Sequence, residues 1–566
     1  MAALVALPVL GIAASLFDTR ASMWRHLVDT QLADILTNTV LLLLGVGIGT
    51  TAIGTATAWV VTMHRFPFSR SLEWALLLPM VMPTYIIGYA YADLLAYAGP
   101  LQSLLRGITG WQKGDYWFPD VGSATGVACL FTLVLYPYVY VAARAAFLAQ
   151  SQSLLDASRI LGRGPWRTFL SVGLPLARPA IAAGAALALL EALADFGTVQ
   201  YYGVHTFTTA IYRTWFGMGD RDGAGQIAVI LLVIAASLVL LERRSRGSAR
   251  YQVASNLRES AEPTALSPRW AALAGALCAM PVLLGFVMPV GHLIQLAMHA
   301  DVTLVGAAFL RETLHSLMLA AVAAVSIASL GLFLAYAGRL VRRRIFNRLI
   351  EFAALGYALP GAVIAVGILL PLVAADRALD RAGQVLFGVS IGLILSGTAV
   401  ALLLAYTVRF LAVGIANISP GLAAIDPAMD ASARILGARP LEVLRRIHLP
   451  NMRGPALTAA LVAFVEVMKE LPATLLIRPF NFDTLAVGVY RYASDERLAE
   501  AAVGAVAIVA GILLLLAFIV IPYNTFGEGV KMLKDSGLTA IKVLALLVVV
   551  WTASVAVSEE IGRAHV

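Results

Sequence analysis

Nearly uninterrupted apolar blocks alternate along the chain with short polar stretches, at 2–17, 39–63, 72–98, 121–148, 179–201 and 225–241, then again at 270–297, 313–337, 349–374, 384–413, 455–477 and 499–521. A block of about 20 apolar residues is long enough to cross a bilayer as a helix, and helices satisfy their own backbone hydrogen bonds where water is absent. The pattern therefore predicts an all-α integral membrane protein of about 12 transmembrane helices, built as two tandem six-helix domains. The first covers residues 1–241 and the second 269–523, with the polar stretch 242–268 as a linker facing the cytoplasm. An even number of spans per half gives both halves one orientation, which makes this a parallel duplication.

The duplication is visible residue by residue. The segment DASRILGRGPWRTFLSVGLPLARP, which starts at Asp156, recurs 275 positions downstream as ASARILGARPLEVLRRIHLPNMRG, which starts at Ala431. Arg159 to Gly162 match Arg434 to Gly437, Pro165 matches Pro440, Leu174-Pro175 match Leu449-Pro450 and Arg178 matches Arg453. The same offset carries Glu191 onto Glu466 and Asp195 onto Glu470. A repeat of this length decides the architecture before any single motif does.

Composition excludes a soluble protein: of 566 residues 60% are hydrophobic and only 13% charged. The net charge of +8 is mostly arginine gathered between the apolar blocks, around 65–70, 159–178, 243–250, 339–348 and 434–453. All these stretches fall on one side of the predicted topology, which the positive-inside rule makes cytoplasmic, so the charge orients the chain in a membrane and implies no nucleic-acid partner. Both cysteines, Cys129 and Cys278, sit in apolar blocks and imply no disulfide framework. Neither is a metal site expected from the histidines, of which His292 and His299 form only a loose pair. No glycine precedes any of Lys113, Lys469, Lys531, Lys534 and Lys542, so the chain holds no phosphate-binding P-loop. Residues 524–566 are expected to form a tail outside the repeat, in which the apolar run at 532–557 reads as an extra C-terminal span or the signal-like start of a neighbouring reading frame. The tail's last six residues, IGRAHV, read as a translated adapter sequence.

The repeated loop, with its short helical pattern, glycine and terminal Leu-Pro, resembles the coupling loop of binding-protein-dependent ABC importer permeases. The likeness extends over nearly the whole chain, and two copies lie in register. It implies coupling loops at 151–178 and 417–454 that dock on two copies of a separate ABC ATPase subunit, with Asp156, Ala157, Gly162 and Pro175 in one and Asp430, Ser432, Gly437 and Pro450 in the other. ATP and Mg would be bound by that partner and no cofactor by this chain. A periplasmic substrate-binding protein and membrane lipid complete the implied partners, and the implied location is the bacterial inner membrane. The usual pattern has Glu at the acidic position; here Asp156 stands in the first copy, whereas the second has Ala431 with Asp430 displaced by one. The two docking sites are therefore expected to differ chemically.

Charge inside the apolar blocks supplies the remaining chemistry. Glu191 and Asp195, and Glu466 and Glu470 with Lys469 beside them, are spaced by four, so each acidic pair is expected on one helical face. A charge at mid-membrane costs about 2.5–3.5 kcal/mol, so these groups should face a protein interior or a wet path. Two readings stand: an internal ion pair through Lys469, or a translocation path for a cation. The segments at 191–220 and 468–490 resemble fused ferric-iron importer permeases, and iron(III) suits carboxylate oxygen. Thiamine, phosphonate or polyamine permeases share the architecture, and an ion-coupled secondary transporter is the reading from another class. Pro83 and Pro360 occupy matching blocks and predict kinks. No nucleophile, base and metal constellation suggests an enzyme.

Overall fold

The computed structural model describes residues 2–17, 27–150, 152–246, 263–341, 343–390 and 392–524. The tail expected at 524–566 lies outside them except for Asn524, as do 247–262 of the linker. Each of the twelve apolar blocks contains helix. Among the described residues nine helices are long and apolar enough to span a membrane, and a bent pair makes a tenth. Strand is confined, among the described residues, to one parallel bridge of His64–Arg65 with Thr264–Ala265.

The chain folds into two compact units that divide it differently from the sequence repeat. One comprises Ala21–Ala210 and Ile230–Met298. Its centre is the long helix Leu32–Met63 packed along Ala124–Leu148, with Leu174–Ala194 against both. Tyr136 and Tyr140, both fully buried, donate to the carbonyls of Leu76 and Glu73 at 2.9 Å each and tie the next span to this core. That span is broken: Ser69–Val81 and Thr84–Leu94 meet at 92°. The cause is Pro83, which drives Met82 into extended backbone and removes a helical donor. Helices Pro268–Val282 and Met288–Ala297, the start of the second repeat, pack into this unit. Gly285 allows it, since a Cβ there would lie 2.4 Å from the Leu133 carbonyl oxygen.

The other unit comprises Met1–Arg20, Ile211–Val229 and His299–Val566. Val302–Leu340, Ala399–Ala423 and Arg453–Met468 form its core, with Gly331 and Gly414 in close backbone contact. Here the chain's first helix, Ala2–Ala14, packs on Gly361–Phe387 with Gly11 against Gly367. Each unit thus takes its first helix from the opposite half of the sequence. Pro360 interrupts the block at 349–374, where Arg344–Ala353 and a tight turn at Ala354–Ala358 precede Gly361.

Three blocks are interrupted where a continuous span is expected. The span expected at 384–413 straddles two helices, because Gly361–Phe387 runs through Gln384 and ends at Gly388 with φ +68°, and the next helix starts at Ala399. The connecting loop keeps apolar Val389, Leu393 and Ile394 exposed while Asp376 accepts from the Ile394, Leu395 and Ser396 amides, a local tie that hydropathy does not register. The blocks at 179–201 and 455–477 each break once, at Asp195 and near Glu470.

Candidate functional site

In the first copy of the repeated loop, helix Gln152–Ile160 ends at Gly162, whose φ of +77° lets the Arg163 amide donate to the Ser158 carbonyl at 3.2 Å. The short helix Pro165–Thr168 and the wide turn Phe169–Gly173 then lead into Leu174–Ala194, with Pro175 in its first turn. The second copy repeats this geometry. Helix Pro427–Ile435 ends at Gly437 with φ +83°, and the Ala438 amide donates to the Ala433 carbonyl at 3.0 Å. Pro440–Val443, Leu444–His448 and Leu449–Asn451 follow, the last with Pro450 in its first turn.

Both copies present apolar side chains outward at the same repeat positions. Ile160 and Ile435 are each 86% exposed, and Leu161 with Leu436 and Trp166 with Leu441 are similarly bare. Ala157 and Ser432 are exposed on the same helices, and Asp156 is half-buried. Sequence reasoning named the Arg-Ile-Leu-Gly match but not this apolar trio. Its signal was an Ile-Leu pair and a bulky residue retained around a glycine in an otherwise polar loop.

Asp430 faces inward. Its carboxylate lies 2.8 Å from Arg339 Nε and 3.0 Å from His448 Nε2, and Arg339 also donates to the carbonyls of Leu422 and Ile425 at 2.6 and 2.9 Å. Tyr336 donates to the Pro440 carbonyl at 2.6 Å, and its ring packs on His448. Burial lowers the His448 pKa below its usual 6.5, with Asp430 opposing and Arg339 reinforcing the shift. The first copy is anchored by aromatic packing instead. Trp59 lies 5.1 Å from Phe147 and 4.8 Å from Phe169, Trp166 lies 5.5 Å from Phe169, and Gln150 donates to the Gly173 carbonyl at 2.8 Å.

The acidic pairs do not lie on single helical faces. Helix Leu174–Ala194 carries Glu191, half-buried, and stops before Asp195, whose ψ of 140° is extended. Asp195 is buried and caps the next short helix, Gly197–Tyr201, accepting from the amides of Thr198 and Val199 at 3.0 and 3.2 Å and from the hydroxyl of Thr84 at 2.6 Å. Glu470 does the same for Pro472–Ile477, accepting from the amides of Ala473 and Thr474 at 2.8 and 2.9 Å. Such a cap satisfies donors that a helix start leaves open, which matters most where water is absent. Where Asp195 takes a hydroxyl, Glu470 takes a cation, the Arg409 guanidinium at 2.9 Å. Lys469 pairs with Glu466 at 2.8 Å. In the second repeat the ion pairing is therefore internal, through both Lys469 and Arg409, and the Arg409 partner was not foreseen. Among the described residues no group of three or more His, Cys, Asp or Glu is placed to hold a metal ion.

The family model for the inner membrane component of binding-protein-dependent transport systems matches residues 47–241 and again 327–527. The chain is 24% identical over 475 residues to the Fe(3+)-transport system permease protein FbpB 2 of Haemophilus influenzae, covering 83% of this chain and 86% of that protein. It is 23% identical over 520 residues to the ferric transport system permease protein FbpB of Actinobacillus pleuropneumoniae, covering 87% and 72%. Identity to the molybdenum transport system permease protein ModB of Escherichia coli is 30% over 192 residues, 32% of this chain and 80% of that one. A model matching twice, once in each half of the internal repeat and over most of the chain, leaves one assignment: this protein belongs to the family of inner membrane components of binding-protein-dependent transport systems.

Proposed function

We propose that this chain is the permease of an ATP-driven importer that carries ferric iron from periplasm to cytoplasm by alternating access. A periplasmic binding protein delivers the solute. Two copies of a separate ATPase subunit, which hold the ATP and Mg, dock one on each repeated loop. The observation that carries this reading is the exposed apolar trio on each loop, at identical repeat positions beside a left-handed glycine. Apolar side chains held out on a polar loop suit a docking face, and two such faces suit two identical partners.

Iron is supported by two relatives that align over most of this chain and are named for ferric transport, whereas the molybdenum permease aligns over a third of it. The internal pairing of Glu466 with Lys469 and of Glu470 with Arg409 favours a positioning role for the second-repeat acids. Radioiron uptake by cells carrying the permease, its ATPase and its binding protein tests the reading. Uptake that continues without the ATPase sinks the importer mechanism, and accumulation of thiamine, phosphonate or molybdate in place of iron sinks the substrate.

A further inference from the structure

Between the broken span and Ala124–Leu148, on the side that the predicted topology sets opposite the basic loops, lies the helix Pro100–Thr109. Its polarity is inverted. Leu101, Leu104, Leu105 and Ile108 fall on one face at i, i+3, i+4 and i+7, and all but the half-buried Leu105 are exposed, Leu104 at 61% and Ile108 at 76%. Gln102 and Arg106 of the polar side pack on the protein, while Ser103 and Thr109 stay exposed. Buried Gln102 donates to the Leu95 carbonyl at 2.9 Å and accepts from the Tyr116 hydroxyl at 2.7 Å. The Arg106 guanidinium donates to the Tyr97 carbonyl at 2.8 Å and sits 4.1 Å over the Tyr97 ring.

A helix bathed in water shows the opposite arrangement, polar side out and apolar stripe in. An apolar face turned away from the protein fits a surrounding medium that is itself apolar. Trp111 and Trp117 follow the helix, both exposed, and amphipathic aromatic rings favour the headgroup level of a bilayer. The helix is also continuous in sequence with apolar spans on both sides, Thr84–Leu94 before it and Ala124–Leu148 after it.

We propose that Pro100–Thr109 is an interfacial anchor, lying in the headgroup–acyl boundary of the leaflet opposite the basic loops, with its Leu101, Leu104, Leu105 and Ile108 face in lipid. Through Gln102 and Arg106 it holds the chain at Leu95 and Tyr97, and so fixes the outer end of the broken span whose Thr84 reaches Asp195. The anchor holds whichever solute is carried.

The test uses the full-length permease in nanodiscs of phosphatidylethanolamine and phosphatidylglycerol, with Cys129→Ala and Cys278→Ala as background. Spin labels are placed separately through Leu104→Cys and Ile108→Cys, and a third through Trp117→Cys. The expected result is oxygen collision rates several-fold above those of a water-soluble nickel chelate at the first two sites, with the third intermediate. Chelate access equal to or above oxygen access at both helix sites overturns the proposal. So does protection from both reagents, whether intrinsic or produced by adding the binding protein, since the face would then be covered by protein.

Discussion

Gly361 stands against Arg409: a Cβ at this glycine would come within 2.2 Å of Arg409 Nη1 and 2.9 Å of Glu470 Oε1. The first residue after the Pro360 break is therefore kept bare so that the guanidinium can reach the capping carboxylate. Gly361→Ala should displace Arg409 and leave Glu470 buried without its cation. Removing one partner of a buried pair costs about 3–5 kcal/mol, and replacing both with apolar residues costs less. Arg409→Met and Glu470→Leu should each lower the midpoint of thermal unfolding in detergent more than the double variant does. A double variant no better than the worse single would refute this account.

Asp195 holds the matching break with backbone amides and a hydroxyl. Asp195→Asn keeps a side-chain oxygen for the Thr198 and Val199 amides and should be tolerated better than Asp195→Ala. The alanine loses the cap at about 0.5–2 kcal/mol and also strands the Thr84 hydroxyl. Purified yield and thermal midpoint for the two variants, with Thr84→Val alongside, check the order.

The left-handed glycines of the two loops have open space around them, so substitution there meets backbone strain and no clash. Gly162→Val and Gly437→Val should each cost about 1–2 kcal/mol locally and misdirect the neighbouring Ile-Leu pair. We expect weaker ATPase binding in a pull-down of purified subunits, and a larger loss for Leu161→Asp with Leu436→Asp, which leaves the backbone alone. Unchanged binding by the double aspartate would remove these loops from the docking face.

Acidification should act on the second loop and spare the first. Because the folded-state pKa of His448 is depressed below its unfolded value, the neutral imidazole carries the stability. That stability is present above about pH 6.5 and is lost as pH falls toward the depressed folded-state value. Proteolysis or hydrogen exchange at 427–448 should increase between neutral and mildly acidic pH, while the aromatic anchor around Trp59 keeps 152–173 unchanged. His448→Phe should flatten the response, and a response that survives it would assign the effect elsewhere.

The sequence by itself determined the helical membrane class, the family and the twin loops, because hydropathy periods and a 275-residue repeat are linear properties of the chain. It also located the breaks at Pro83 and Pro360, where a missing amide acts locally. The tertiary structure decided what depends on distant partners. Asp195 and Glu470 end helices because amides just ahead, and Thr84 or Arg409 far back in sequence, converge on the carboxylates. Asp430 faces inward because Arg339, 91 residues away, reaches it. The exchange of first helices rests on glycine contacts such as Gly11 with Gly367, which hydropathy does not encode. Helix Pro100–Thr109 shows the same division: its amphipathic period is in the sequence, but which face meets protein was set by Gln102 and Arg106 finding partners outside the helix.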